Sequence, residues 1–270
     1  MNKSILSRNN VHVSGEGDQP MIFGNGFGCD QHMWRYIVPG FQQNYRTILF
    51  DYVGSGDSDV EAYNSERYSS LGGYSRDLIE IMDAMKLDDI IFVGHSVSCM
   101  IGMLAAIQRP ERFHRLIMIG PSACYLNDPP DYHGGFDRET IEELLNLMEK
   151  NYIGWATTFA PEVMKNRDRP ELSEELKENF CSTDPLIARE FAEVTFLSDN
   201  RDDLENCTIP TLLIQCADDA IVPVEAGKFI HKKIPDCSFD LLPVSGHCPH
   251  LSHPSKTIES IIRYLNSETD

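Results

Sequence analysis

The apolar run Ile90-Ile91-Phe92-Val93 passes without a polar linker into Gly94-His95-Ser96-Val97, and beyond Val97 the sequence can only continue as a helix. A buried strand that reverses so sharply into a helix leaves few architectures open. It holds the residue at the apex on a strained turn at the carboxyl end of a sheet. The hydroxyl of a serine there points outward, with the first N–H groups of the helix beside it. Acyl transfer needs this arrangement: an oxygen exposed for attack, and donors for the oxyanion that attack creates. The last position of the motif is usually glycine and is here Ser98. A small polar residue fits a first helical turn without strain, so Ser98 is read as structural and not as a second nucleophile.

The rest of the chain supplies a sheet to carry this turn. Short β-rich runs at Met21–Phe23, Arg46–Asp51, Ile90–Val93, Leu116–Ile119, Thr211–Cys216 and Phe239–Leu242 alternate with helical patterns. Leu71, Tyr74, Leu78, Ile81, Met82 and Met85 follow one helix face. So do Ile258, Ile261, Ile262 and Leu265, with Pro254 near the start of that helix. Strands alternating with helices imply a mostly parallel sheet covered on both faces, an α/β fold.

The alternation stops between about Tyr125 and Ser198, where only helical patterns occur. They run through Ile141, Leu144, Leu145 and Met148, then Tyr152, Trp155, Ala156 and Phe159, then Leu172, Leu176 and Phe180. A fourth begins at Asp184-Pro185, a capping residue followed by proline at the first helical position, and runs to about Leu197. The expected organisation is a core over residues 1–124 and 199–270 with a four-helix lid over 125–198.

A nucleophilic serine needs a base, and the base an orienting carboxylate. The loop after Thr211–Cys216 reads ADDAIVP, and the loop after Phe239–Leu242 reads SGHCPHLSHP. Ser96, an acid from the first loop and a histidine from the second would meet at one sheet edge, in the chain order expected of this fold. Asp219, directly before Ala-Ile-Val-Pro, is the better-placed acid, and Asp218 is expected to cap or brace the loop. His247 follows Ser-Gly at a loop tip, whereas His250 and His253 read as packing or capping groups. His95, beside the nucleophile on so sharp a turn, points away from its hydroxyl. His247, Cys248, His250 and His253 are too closely spaced for a tetrahedral metal site, so no metal is expected. The glycine-rich loop after Met21–Phe23, GNGFGCD, fails the dinucleotide fingerprint because Cys29 stands where a third glycine belongs. Asp59 breaks the same pattern after Gly54 and Gly56. No cofactor is expected, and the loop is read as an oxyanion loop in which the Phe27 N–H joins that of Val97.

A net charge of −19 argues against nucleic acid and anionic membranes as partners. No stretch approaches the length of a membrane span, and the first residues lack the apolar core of a signal peptide. A cytoplasmic protein with reduced, mostly buried thiols is expected.

Together GNGFGCDQHMW, ILFDYVGSGDSD, VGHSVS, YLNDPP, NYIGWAT, FCSTDP, QCADD and GHCPHLSHP resemble the RsbQ-type branch of the α/β-hydrolases. These are bacterial hydrolases required to activate a general-stress sigma factor through a PAS-domain serine phosphatase. The same pattern is shared, less closely, with plant strigolactone and karrikin receptor hydrolases, in which G-H-S-V-S is the usual form of the turn. The resemblance spans nearly the whole chain. It implies an α/β-hydrolase fold, a Ser96-Asp219-His247 triad, oxyanion donors at Phe27 and Val97, and a hydrophobic pocket walled by Phe27, Phe136, Trp155, Phe159 and Phe196. It also implies a small hydrophobic ester, lactone or acyl compound as substrate, and a phosphatase partner. A receptor that turns its ligand over slowly or once is the alternative.

Overall fold

Alternate burial along the strands divides the interior into two apolar layers, one on each side of a single sheet. The computed structural model describes residues 4–267; residues 1–3, where the amino-terminal reading begins, lie outside the described residues. The strands are β1 (His12–Ser14), β2 (Pro20–Gly24), β3 (Arg46–Leu49), β4 (Ile90–His95), β5 (Phe113–Ile119), β6 (Thr211–Asp218) and β7 (Cys237–Ser245). Their spatial order is β1-β3-β2-β4-β5-β6-β7, and only β1 runs antiparallel to its neighbour. No sequence signal marks β1, because all three of its residues are exposed and carry no apolar alternation.

Met21, Phe23, Ile91, Val93, Ile117 and Ile119 point to one side of the sheet, where Trp34, Phe41 and Ile261 cover them. Their neighbours Ile22, Ile90, Phe92, Leu116 and Met118 point to the other. On that second side lie α2 (Leu71–Met85), α3 (Val97–Gln108) and α8 (Val224–Lys233); α1 (Ile5–Arg8) packs on α2. The carboxyl-terminal α9 (Pro249–Ser252) and α10 (Pro254–Asn266) follow β7, and α10 covers the first side. The helices therefore lie on both faces, as a mostly parallel sheet requires.

Between β5 and β6 come four further helices: α4 (Arg138–Lys150), α5 (Tyr152–Met164), α6 (Pro170–Ser182) and α7 (Pro185–Leu197). Asp184 caps α7 by accepting from the N–H groups of Leu186 and Ile187, and Pro185 occupies its first position. The two roots of this insertion lie side by side: the Asn200 N–H donates to the Ala123 carbonyl at 2.8 Å. Arg201 clamps both roots, reaching Asp128 at 2.9 Å and Asp199 at 2.7 Å. Because β2, β4, β5, β6 and β7 run parallel, the loops that follow them open at one edge, directly beneath the insertion.

Candidate active site

Ser96 stands at the end of β4 with φ 55° and ψ −123°, a left-handed backbone that a non-glycine residue adopts only when its surroundings impose it. The fold imposes it through the Ser96 N–H, which donates to the Ile119 carbonyl on β5, and through α3, which starts at the next residue. The Val97 N–H is therefore at the helix start, beside the serine hydroxyl. Neither it nor the Phe27 N–H is used by a protein acceptor among the described residues. Ser98 is fully buried and engaged twice: it donates to the Asn25 carbonyl, and its oxygen lies 2.7 Å from the Tyr52 hydroxyl. Gly24 makes room for it, since a Cβ there would meet Ser98 Oγ at 3.0 Å. The serine in place of glycine thus fastens α3 to the loop that carries Phe27. The Asn25 side chain holds the same loop from its other side, donating to the Phe50 carbonyl and accepting from Trp34 Nε1, both at 2.9 Å.

His247 Nε2 lies 2.9 Å from Ser96 Oγ, and its Nδ1 lies 2.8 Å from Asp219 Oδ2. The second carboxylate oxygen of Asp219 accepts from the N–H groups of Ile221 and Val222. Burial pushes the Asp219 pKa up, but His247 and the two backbone donors outweigh it, and the carboxyl is held below its ordinary value. With Nδ1 donating to a carboxylate, Nε2 presents its lone pair to the serine hydroxyl. Adjacent Asp218 faces outward and pairs with Lys165 at the end of α5, 2.6 Å away. Consecutive residues of an extended chain point to opposite sides, and the β6–β7 pairing shifts register just before this point. The His247 loop also rests on the insertion. Its backbone N–H donates to the Val163 carbonyl, and a Cβ on Gly246 (φ +93°) would sit 2.1 Å from the Met164 carbonyl oxygen.

Above Ser96 is a narrow cavity lined by Phe27, Phe159, Val163, Leu176, Phe180, Phe196 and Ile221, with Tyr125 and Thr195 as further polar groups. It leaves about 30 Å³ for solvent, room for one or two waters. Two of the aromatic residues expected in its wall stand one layer back. Trp155 is wedged against Phe180, Phe159 and Phe27, with ring centroids 4.9, 5.5 and 6.1 Å away. Phe136 backs the edge of Phe196 at 6.1 Å. Both pack on the wall instead of forming it, because the rings in front of them already fill the space.

A family model described as the alpha/beta hydrolase fold matches residues 19–254. The chain belongs to the alpha/beta hydrolase fold family. This hydrolase is 38% identical to the strigolactone esterase D14 of Arabidopsis thaliana over 97% of its own length and 98% of that protein's. It is 34% identical to the karrikin insensitive 2 receptor CA of Petunia hybrida, over 98% of each chain. Among solved structures, a hydrolase from Oleispira antarctica superposes with a TM-score of 0.95 at 42% identity, over 98% of this chain and 97% of that one.

Several residues of the hydrolase's cavity carry no sequence signal. Tyr125 directs its hydroxyl to within 3.3 Å of Ser96 Oγ, and burial pushes that phenol's pKa up, so it remains a donor. Phe180 and Leu176 read only as an apolar helix face, like any core positions. His95 donates from Nε2 to the His247 carbonyl at 3.0 Å. Burial and the neighbouring His247 lower its pKa to about 3, so it supports the His247 backbone as a neutral ring. His250 is buried between Trp34 and His95, with ring centroids 4.8 and 4.3 Å away. His253 occupies the N-cap position of α10 without a side-chain cap, and its Nδ1 lies 2.9 Å from Ser252 Oγ. Among the described residues no group of three or more His, Cys, Asp or Glu could hold a metal, and no helix is long and apolar enough to cross a membrane.

Proposed function

We propose that this protein hydrolyses a small apolar ester or lactone through an acyl-enzyme on Ser96. It is a hydrolase of esterase or lactonase type. The observation that carries the mechanism is the unbroken hydrogen-bonded chain Ser96–His247–Asp219 at the floor of a narrow apolar cavity. His247 takes the Ser96 proton as Oγ attacks the carbonyl carbon. Asp219 holds the tautomer and the imidazolium that forms, and the Phe27 and Val97 N–H groups receive the oxyanion. His247 then returns the proton to the departing alcohol, and a water attacks the acyl-serine by the same route in reverse.

A second reading has its own support. The cavity is small, and relatives over the whole length include proteins named as karrikin receptors. Slow or single turnover, with the bound state as the signal, fits both. We further propose an RsbQ-type role, in which the hydrolase acts with a PAS-domain phosphatase to raise the output of a general-stress sigma factor. The sequence resemblance is the support for this finer reading.

Time courses with p-nitrophenyl acetate separate turnover from a single burst. Ser96→Ala should lower kcat by about six orders of magnitude in a folded protein. A fluorophosphonate should label Ser96; label on Ser98 would overturn the assignment. A sigma-factor reporter with Ser96→Ala tests the regulatory arm, because full output would make the chemistry incidental to signalling.

A further inference from the structure

Thr195 lies on α7, 1% exposed, in the lining of the cavity above Ser96. Its hydroxyl is buried without a hydrogen-bond partner. Helical threonines commonly satisfy this group by bonding a carbonyl one turn back; this one does not. Valine has the same branched shape and would fill the site without the cost of an unsatisfied hydroxyl. Other orphaned polar atoms lie nearby: those of His250 and Trp155 belong to residues outside the lining, and His95, which is part of the lining, has its Nδ1 against the Gly26 backbone, 2.4 Å from where a Cβ would stand. Thr195 is followed directly by Phe196, whose ring packs 5.1 Å from that of Tyr125. Two hydroxyls therefore flank Phe196 in an otherwise apolar wall. Tyr125 serves the Ser96 end, and Thr195 has no protein group to serve.

We propose that Thr195 is a ligand-binding residue: with Tyr125 it forms a polar subsite that takes a second oxygen of the substrate, apart from the carbonyl under attack. The substrate is then an oxygenated ester or lactone, bearing an ether, hydroxyl or keto group, and not a plain hydrocarbon ester. This rests on the hydrolase reading above and narrows it.

Six probes test it: the p-nitrophenyl esters of methoxyacetic, 3-methoxypropanoic and 4-methoxybutanoic acids, each paired with the alkanoate of equal chain length. The quantity read is the ether-to-alkane ratio of kcat/KM, compared between wild type and Thr195→Val, so that intrinsic ester reactivity cancels. For the ether whose oxygen reaches the subsite, the ratio should fall about tenfold in Thr195→Val, the scale of one neutral hydrogen bond, and return in Thr195→Ser. The ligand-free protein should also unfold at a higher temperature as Thr195→Val, since the variant removes an unsatisfied hydroxyl. A common factor on all six esters, or a lower unfolding temperature for Thr195→Val, would overturn the proposal. If wild type turns over none of the six, the hydrolase reading fails. The same pairs are then compared as Kd values on Ser96→Ala and on the Ser96→Ala, Thr195→Val double variant, where an unchanged ratio overturns the subsite independently.

Discussion

The floor and the roof of the cavity are built on different principles. The floor is a sheet edge, and its loops are hydrogen-bonded to one another: Ser98 to Asn25, Asn25 to Phe50 and Trp34, and Asp219 to two backbone N–H groups. The roof is α5, α6 and α7, and its inner face is aromatic and aliphatic. Its direct polar ties to the floor lie outside that apolar face: Arg35–Glu175, Lys165–Asp218, Tyr63–Glu190, Arg169 to the Ser252 carbonyl, Asn166 to the Ser245 carbonyl, and the Val163 carbonyl under His247. Chemistry that depends on tenths of an ångström resides in the bonded half. Recognition of an apolar ligand needs only surfaces that can part and close again. The space above Ser96 is only about 30 Å³, so a bound ester requires side chains around it to move, and the apolar contacts of the roof are less directional than the hydrogen bonds of the floor.

The comparison breaks most visibly at the two neighbouring acids. Asp219→Asn should cut kcat about 10⁴-fold by spoiling the tautomer of His247. Asp218→Asn, which loosens only a tie to the roof, should leave kcat within a few-fold. Steady-state kinetics decide it, and the reverse ranking would transfer the orienting role to Asp218.

The next effect concerns the packing beneath the floor. His95 and His250 are fully buried with depressed pKa values, by desolvation first and neighbouring charge second. Below about pH 6.5 the unfolded chain binds protons on both residues that the folded state refuses. Stability is therefore complete above that pH and is lost as pH falls toward the folded values, about 3 for His95. Two such groups predict a stability that falls from pH 6 to 4, and His250→Gln should make that fall shallower. Urea unfolding across that range measures the slope; an unchanged slope in His250→Gln would mean that His250 takes a proton inside the fold.

Least in global stability, but most specific to the roof, is Glu175→Gln. Arg35 and Glu175 are each about a third exposed, so their bidentate pair is worth no more than about 1 kcal/mol. Hydrogen exchange should nonetheless quicken in α6 and stay unchanged in β4 and β6. Equal quickening in both would mean that floor and roof open as one unit.

The alternation of strands and helices, the turn at Ser96 and the order of the acid and histidine loops are all legible along the chain. Each is local: a run of apolar and β-branched residues, a serine two residues past a glycine, a loop directly after a strand. Parallel strands bring their carboxyl ends to one edge whatever the details of packing, so Ser96, Asp219 and His247 converge in any fold with this strand order. The choice between Asp218 and Asp219 is a matter of strand alternation and one register shift, at the limit of what local reasoning resolves. Which helix residues face the ligand is not local at all. Trp155 and Phe180 have equally apolar settings in sequence, yet one stands behind the wall and the other forms it, a difference set by how α5 and α6 pack together. Thr195 is one polar residue on an apolar helix until the tertiary structure buries its hydroxyl beside a cavity. Burial and partnership depend on every neighbour at once, and only the assembled fold specifies all of them.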